Sequence, residues 1–380
     1  MALVRSKKAS AHDLPARKFV ELAEPLRLLN GGVINQPVVA YECWGRLNVA
    51  GDNAVLLFTG LSPSSHAASS PEDARPGWWE TMIGAGRPID TDRYFVVCVN
   101  SIGSPFGSSS PASLDPLTGR PVGTRFPEIA VEDIASGGRE AMLALGIERV
   151  ACVIGPSLGG MVVLAYCAMF PDTVDALMSI SGAARATPFA IAQRSLQREM
   201  VRSDPGWRGG NYEPGRGPKQ GMRLARKLGT ITYRSAEEWQ QRFGRRRAAR
   251  AAGLAGDRRP RFEVESYLEH QAQRFSENFD ANCYLYLSNA MDQFDLADHG
   301  DGSLTAAFAK FRPHRSLVIG VETDMLFPVR QQQEIADELR GAGRDVVFHA
   351  FPSLQGHDAF LVDLQRFEPA IGDFMNSLQA

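Results

Sequence analysis

Val150-Ala-Cys-Val-Ile-Gly155-Pro156-Ser157-Leu158-Gly159-Gly160-Met161 is an apolar, β-branched run that passes into Gly-x-Ser-x-Gly and then into helical spacing as far as Met169. A buried strand, a sharp turn and a helix in that order are what a nucleophile elbow requires. Small residues two before and two after the serine let strand and helix approach closely, and the turn lifts Ser157 above the sheet in a strained conformation. The following helix aims its N-terminal N–H groups at charge developing beside Ser157. A Gly/Ser loop without chemistry would not need the strand before it and the helix after it.

A serine hydroxyl is a poor nucleophile without a base to take its proton and a carboxylate to orient that base. In a strand–elbow–helix sheet the partners follow in the order Ser, acid, His. His357, in Gln355-Gly356-His357-Asp358, sits just past the last strand run and is the expected base. His12 lies in a polar tail, His270 and His299 in a polar stretch, His314 before a strand and His349 within one. The acid is expected after the penultimate strand, in Leu317-Val-Ile-Gly-Val-Glu-Thr-Asp324-Met-Leu-Phe-Pro328. Asp324 is preferred to Glu322 because it lies nearer the turn and is followed by Leu326 and Phe327, which can bury it. The alternative for Asp324 alone is a helix N-cap. For the two oxyanion donors the sequence offers the N–H of Leu158 and that of Leu61, in the loop Thr59-Gly60-Leu61-Ser62-Pro63-Ser64-Ser65-His66. His66 is expected to serve the loop locally, with contact to substrate as the alternative.

Outward from the elbow, Ala54–Phe58, Phe95–Val99, Leu177–Ile180, Leu317–Val321 and Val346–Phe351 read as further buried strands. Helical spacing marks Ile134–Leu145, Leu158–Met169, Val329–Leu339 and Phe367–Leu378, so the pattern predicts an α/β fold with a mostly parallel sheet covered on both faces. Leu26–Glu42, with Asn30-Gly31-Gly32, reads as an antiparallel hairpin at one edge. Strand signals vanish between about Ala183 and Leu304, where the chain is polar, Arg-rich and helix-like. The predicted organisation is therefore a core over 1–182 and 305–380, interrupted by a helical lid over 183–304. Within it, Arg242, Arg245, Arg246, Arg247, Arg250, Arg258, Arg259 and Arg261, opposed by Asp257, read as a solvated helix face and loop, with a site for an anionic partner as the alternative.

The 380 residues suffice for one large or two modest domains, and 41 Lys+Arg against 43 Asp+Glu give a net charge of −2. Nothing in that balance points to a nucleic-acid or membrane partner. The five cysteines, Cys43, Cys98, Cys152, Cys167 and Cys283, are widely spaced, which suggests free thiols and no metal site. Met1 to Lys18 holds no apolar stretch of signal-peptide length, and no 18 consecutive apolar residues occur, so a cytoplasmic protein is expected.

Taken together the residues resemble the α/β-hydrolase-fold O-acyltransferases that acylate homoserine or serine. The likeness runs from about Val33 to the C-terminus. It includes Ala40-Tyr-Glu-Cys-Trp-Gly45, Gly77-Trp-Trp-Glu80, Cys98-Val-Asn-Ser-Ile-Gly103, Gly155-Pro-Ser-Leu-Gly-Gly160, Gln197-Arg198-Glu199, Ile231-Thr-Tyr-Arg-Ser235, Asp324-Met-Leu-Phe-Pro328 and Gly356-His357-Asp358. The resemblance implies Ser157, Asp324 and His357 as catalytic residues, in agreement with the reading above. It further implies that Arg198 binds the carboxylate of the amino acid and Asp358 its ammonium group, pairings that a planar guanidinium and a carboxylate suit.

Three features are similar to the branch that succinylates serine. These are the loop Gly60-Leu61-Ser62-Pro63, Arg194 where the acetyl-using branch typically carries Asn, and Asn282–Ser288 through Asp292 and Phe294. Arg194 would neutralise the distal carboxylate of a succinyl group. The implied substrates are L-serine and succinyl-CoA, with no metal or other cofactor, in a homodimer packed through the lid helices. The alternatives are homoserine as acceptor with acetyl-CoA or succinyl-CoA, and a carboxylester hydrolase.

Overall fold

Alternation along the strands dictates a sheet buried on both sides. Leu56 and Phe58 face one apolar core while Val55 and Leu57, between them in sequence, face another. The computed structural model describes residues 15–248 and 261–378 of the chain. Its central sheet has eight strands: β1 Lys18–Glu21, β2 Val38–Trp44, β3 Ala54–Phe58, β4 Phe95–Val99, β5 Val150–Pro156, β6 Val174–Ile180, β7 Arg315–Val321 and β8 Asp345–Phe351. They lie in the order β1-β2-β4-β3-β5-β6-β7-β8. The β1–β2 and β2–β4 pairs are antiparallel and the remaining pairs parallel. Each predicted strand is present, three of them beginning one to three residues before the apolar run: β7 and β8 start at the polar Arg315 and Asp345, and β6 at the buried Val174, which Asp175 separates from the rest of the run.

The Asn30-Gly31-Gly32 turn does form a hairpin, with Gly31 at φ +85°. It joins only Leu26–Arg27 to Val33–Ile34, in a small ribbon separate from the sheet. Pro37, which has no N–H to donate, separates that ribbon from β2. The sheet edge is instead β1, a four-residue Lys-Phe-Val-Glu strand too short to register as a pattern.

Helices α1 Val131–Ala144 and α2 Leu158–Met169 pack on one face of the sheet. Between β6 and β7 no described residue joins the central sheet. That segment forms α3 Pro188–Arg202, α4 Lys219–Thr232, α5 Ala236–Phe243, α6 Glu263–Asn278, α7 Ala281–Gln293 and α8 Leu304–Ala309. Helix α9 Val329–Gly341 joins the α1/α2 face; α10 Ala359–Val362 and α11 Leu364–Ser377 cover the opposite one with Trp79 and Met82.

The described part of the basic run is satisfied at home. Arg242 lies over the Tyr267 ring at 4.3 Å and bonds Glu238, Arg246 pairs with Glu263, and Arg247 lies over Phe262 at 4.4 Å. Arg250, Asp257, Arg258 and Arg259 lie outside the described residues.

A Cβ added to Gly155 would stand 2.1 Å from the carbonyl oxygen of Gly159, so strand and helix meet backbone to backbone at the elbow. Gly155→Ala is therefore expected to destabilise the fold by at least about 1–3 kcal/mol, the usual cost of overpacking. An unchanged thermal unfolding midpoint would contradict that close approach.

Candidate active site

The elbow forces Ser157 to φ 57° and ψ −121°, a conformation a residue with a Cβ adopts only when its surroundings over-determine it. Those surroundings are identifiable. The Ser157 N–H donates to the Ile180 carbonyl at 2.8 Å, tying the turn to β6. A Cβ on Gly159 would stand 2.5 Å from the Phe58 carbonyl oxygen, so the start of α2 presses on the end of β3.

Loops after β7 and β8 bring the other two residues to the same sheet edge. The His357 Nε2 lies 2.8 Å from Ser157 Oγ, and Nδ1 lies 2.6 Å from Asp324 Oδ2. A carboxylate only accepts, so Nδ1 donates to Asp324 and leaves Nε2 to accept the serine proton. Asp324 Oδ1 accepts from the Leu326 and Phe327 N–H groups at 2.9 and 2.8 Å. The helix N-cap alternative for Asp324 does not hold, since Pro328 takes that place before α9; Oδ1 instead caps the turn ahead of the helix, and Oδ2 pairs with His357. The Phe327 ring stacks on His357 with centroids 5.0 Å apart, and both Asp324 and His357 are buried. Glu322 is exposed.

Burial alone would lower the pKa of His357. The Asp324 carboxylate, by charge and hydrogen bond, and Asp358 outweigh it and hold the imidazole above its ordinary 6.5, while Arg194 acts in the opposite direction.

The Leu158 N–H stands at the first position of α2, where no helical carbonyl can accept it. Gly60 runs beside the nucleophile: a Cβ placed on it would lie 3.8 Å from the Ser157 Cβ. The four residues Gly60, Leu61, Ser62 and Pro63 line one wall of a cavity of about 110 Å³ that also contains Ser157 and His357. Asp358 lines it too, and its Oδ2 accepts from Arg234 Nε at 3.0 Å.

The predicted arginines separate here. Arg194 lines the cavity; its Nε donates to Asp292 Oδ1 at 2.5 Å, while Nη1 and Nη2 are buried and make no hydrogen bond to the protein. Arg198, one helical turn on, does not line this cavity. Its Nη1 donates to Asp292 Oδ2 at 2.6 Å and to Ser288 Oγ at 3.0 Å.

The basic group that the sequence did not single out is Arg226 of α4. It lines the cavity, donates from Nη1 to Ser62 Oγ at 3.1 Å and lies over Phe275 at 4.5 Å. Its signal was positional: it falls beside the buried Met222, Ala225 and Gly229 on the apolar face of an amphipathic helix. A larger cavity, of about 390 Å³, opens at Ser64 on the same loop, and none of Ser157, Asp324 or His357 lines it. Among the described residues no cluster of His, Cys, Asp or Glu could hold a metal ion, and no helix is long and apolar enough to cross a membrane.

Residues 53–363 match the family model described as alpha/beta hydrolase fold. A "Serine O-succinyltransferase" of Litchfieldella anticariensis is 57% identical, over 95% of this chain and 98% of its own. An "L-serine/homoserine O-acetyltransferase" of Streptomyces lavendulae is 54% identical, over 95% of this chain and 97% of its own. Among solved structures, a homoserine O-acetyltransferase from Bacillus anthracis superposes with a TM-score of 0.84 at 26% identity, covering 96% of this chain and 98% of that one. Esterase E22 also superposes at 0.84 and 26% identity, covering 94% and 99%. The chain belongs to the α/β-hydrolase-fold family and, within it, to the O-acyltransferases these relatives represent.

The electrostatics of His357 are directly measurable. Its ring is expected to titrate above 6.5 by NMR, to fall when Asp324→Asn removes the facing charge, and to rise when Arg194→Ala removes the opposing one. A His357 pKa unmoved by Asp324→Asn would contradict the pairing.

Proposed function

We propose that the chain is a serine O-succinyltransferase that transfers a succinyl group from succinyl-CoA to the hydroxyl of L-serine. The observation that carries the donor choice is the buried outer edge of Arg194, two N–H-bearing nitrogens without protein partners in the cavity of Ser157. A planar guanidinium edge matches a carboxylate bidentately, and a succinyl group carries one where an acetyl group has only hydrogen. The close resemblance to serine O-succinyltransferases supports the same donor.

In the first half-reaction His357 Nε2 takes the Ser157 Oγ proton as the oxygen attacks the thioester carbonyl. The N–H groups of Leu158 and Leu61 receive the oxyanion, and the thiolate leaves as coenzyme A with the proton that His357 held. A succinyl ester on Ser157 remains. In the second, Nε2 takes the hydroxyl proton of serine as that oxygen attacks the ester, and the proton passes to Ser157 Oγ as O-succinyl-L-serine departs. No step calls for a metal or a prosthetic group. The position of Arg226 in the cavity beside Ser62 supports a role for it in binding the carboxylate of serine, and that of Asp358 a role in binding the ammonium group. Arg198 then acts by holding Asp292 in place. His357 works as a base only when neutral, so the rate falls as pH drops through its raised pKa.

The helices between β6 and β7 serve as a lid that keeps water from the acyl-enzyme. Phe189 and Leu196 of α3 and Leu224 and Ile231 of α4 are exposed apolar side chains that support packing of a second copy through those helices. The five unpaired thiols support a reducing, cytoplasmic setting.

The second reading, an acetyl donor with serine or homoserine as acceptor, is favoured by the Streptomyces relative. Thiol-release kinetics over serine or homoserine with acetyl-CoA or succinyl-CoA separate the two. Serine with succinyl-CoA is expected to give the highest kcat/KM, and a preference for acetyl-CoA would overturn the donor assignment. Arg194→Asn is expected to cut kcat/KM for succinyl-CoA by about 10- to 100-fold, the worth of one hydrogen bond to a charged group, with a smaller loss for acetyl-CoA. Equal losses with both donors would count against Arg194 as the succinyl contact.

A further inference from the structure

Behind the wall of the cavity formed by Gly60–Pro63 lies a buried cluster of charge that the chemistry above does not use. The Nδ1 of His66 lies 2.8 Å from Glu42 Oε2, and its Nε2 lies 2.9 Å from the carbonyl oxygen of Arg75. Both partners only accept, so both ring nitrogens donate and His66 is an imidazolium. Glu42 is 1% exposed and His66 7%, so the ion pair is out of water. Glu42 sits on β2, the strand next to β4 in the sheet, whereas His66 closes the loop that leaves β3 with Leu61.

The same carboxylate reaches the loop a second time. Its Oε1 accepts from Ser65 Oγ at 3.3 Å, and the Ser65 N–H donates to Asn100 Oδ1 at 2.8 Å. Asn100 Nδ2 returns to Ser65 Oγ at 3.2 Å, and Trp78 Nε1 donates to the Ser64 carbonyl at 2.9 Å. Ser64, Ser65 and His66 are thus tied to fixed elements, and Ser62 is held by Arg226. Thr59 and Gly60 link Leu61 back to β3, and on its other side Pro63 is the one residue between it and His66 without such an anchor. A backbone donor stabilises an oxyanion only when it is aimed beforehand, because reorganisation during the reaction would cancel the gain.

We propose that Glu42 and His66 are positioning residues whose buried ion pair fixes the turn from Leu61 to His66 so that the Leu61 N–H points at the oxyanion on Ser157. This rests on the assignment of Leu61 as an oxyanion donor in the acyl transfer described above. The charged groups around His66 agree with its holding a proton. The Glu42 hydrogen bond raises its affinity for one, burial lowers it, and Asp73, at 3.9 Å, and the Arg75 carbonyl raise it again, leaving the net shift upward. Arg75 itself is committed to Asp73 at 2.6 Å, Glu80 lies within electrostatic reach of His66, and Cys98 on β4 faces Glu42 as a buried neutral thiol.

The test compares Glu42→Gln, which keeps the shape and removes the charge, with the wild-type chain. An alkylboronic acid, which forms a tetrahedral adduct on the nucleophilic serine, probes the oxyanion donors without any acyl donor. Single-turnover coenzyme A release from succinyl-CoA probes the acylation step. In Glu42→Gln both are expected to weaken in parallel by about 10- to 100-fold, somewhat less than the loss of a whole oxyanion donor, with KM for serine within about twofold of wild type. The deficit is expected to grow as pH rises, because without Glu42 the imidazolium loses its proton at lower pH. A loss independent of pH, or one shared by KM for serine, would mean a merely structural role and overturn the proposal, as would wild-type boronate affinity in the folded variant. If Glu42→Gln does not fold, Ser65→Ala, which leaves the ion pair intact and removes the second contact of the carboxylate together with the bond from Asn100 Nδ2 to Ser65 Oγ, is expected to weaken boronate binding several-fold, and unchanged binding overturns the proposal. Boronate binding that responds as expected in a chain that transfers no succinyl group would overturn the substrate reading and uphold the positioning role.

Discussion

Everything at the catalytic edge depends on the turn at Ser157, where a residue with a Cβ is held at positive φ between a strand and a helix. That conformation costs on the order of 1–3 kcal/mol by itself. It persists because Gly155 and Gly159 leave no room to relax and because the Ile180 carbonyl accepts the Ser157 N–H. The return is geometric. The hydroxyl stands clear of the sheet at the first turn of α2, within 2.8 Å of His357, and the Leu158 N–H is left without a helical acceptor. The parallel order of β5, β7 and β8 then places the loops of Ser157, Asp324 and His357 at the same edge.

The second constraint is electrostatic. A net charge of −2 over the chain says little about a cavity in which Arg194 and Arg226 stand against Asp358, with Arg194 and Arg198 sharing the single carboxylate of Asp292. Two guanidinium groups on one aspartate leave a surplus of positive charge, and the geometry directs that surplus through Arg194 into the cavity. Burying such charge without a partner is expensive, and the carboxylate of the proposed succinyl group would supply that partner.

How much of this could be read in advance follows from the range of the interactions. The central strands were legible because burial on both faces leaves continuous β-branched runs, and α2 was legible to the residue because the elbow sets its start. The edge strand β1 was not, since four alternating residues carry too little pattern, and the Asn-Gly-Gly hairpin drew the edge to the wrong place. Ser157, Asp324 and His357 could be ordered along the chain because loops at strand ends are set by topology. The arginines could not. Arg194 and Arg198 occupy the same face of α3 and both bond Asp292, but Arg198 also bonds Ser288, a contact made far along the chain. Arg226 lay hidden among the neighbouring Arg223 and Lys227, distinguishable only by its place on the buried side of α4. The buried pair of Glu42 and His66 likewise joins a strand and a loop whose proximity no local pattern reveals.

The central claim is that Ser157 carries the acyl group between two half-reactions. The most direct measurement is peptide-resolved mass spectrometry of the protein quenched after mixing with succinyl-CoA in the absence of any amino acid. The account predicts one succinyl group per chain, on the peptide containing Ser157, discharged when serine is added and absent from Ser157→Ala. Stoichiometric coenzyme A release that requires serine from the outset, with no acylated Ser157 at any time, would contradict it.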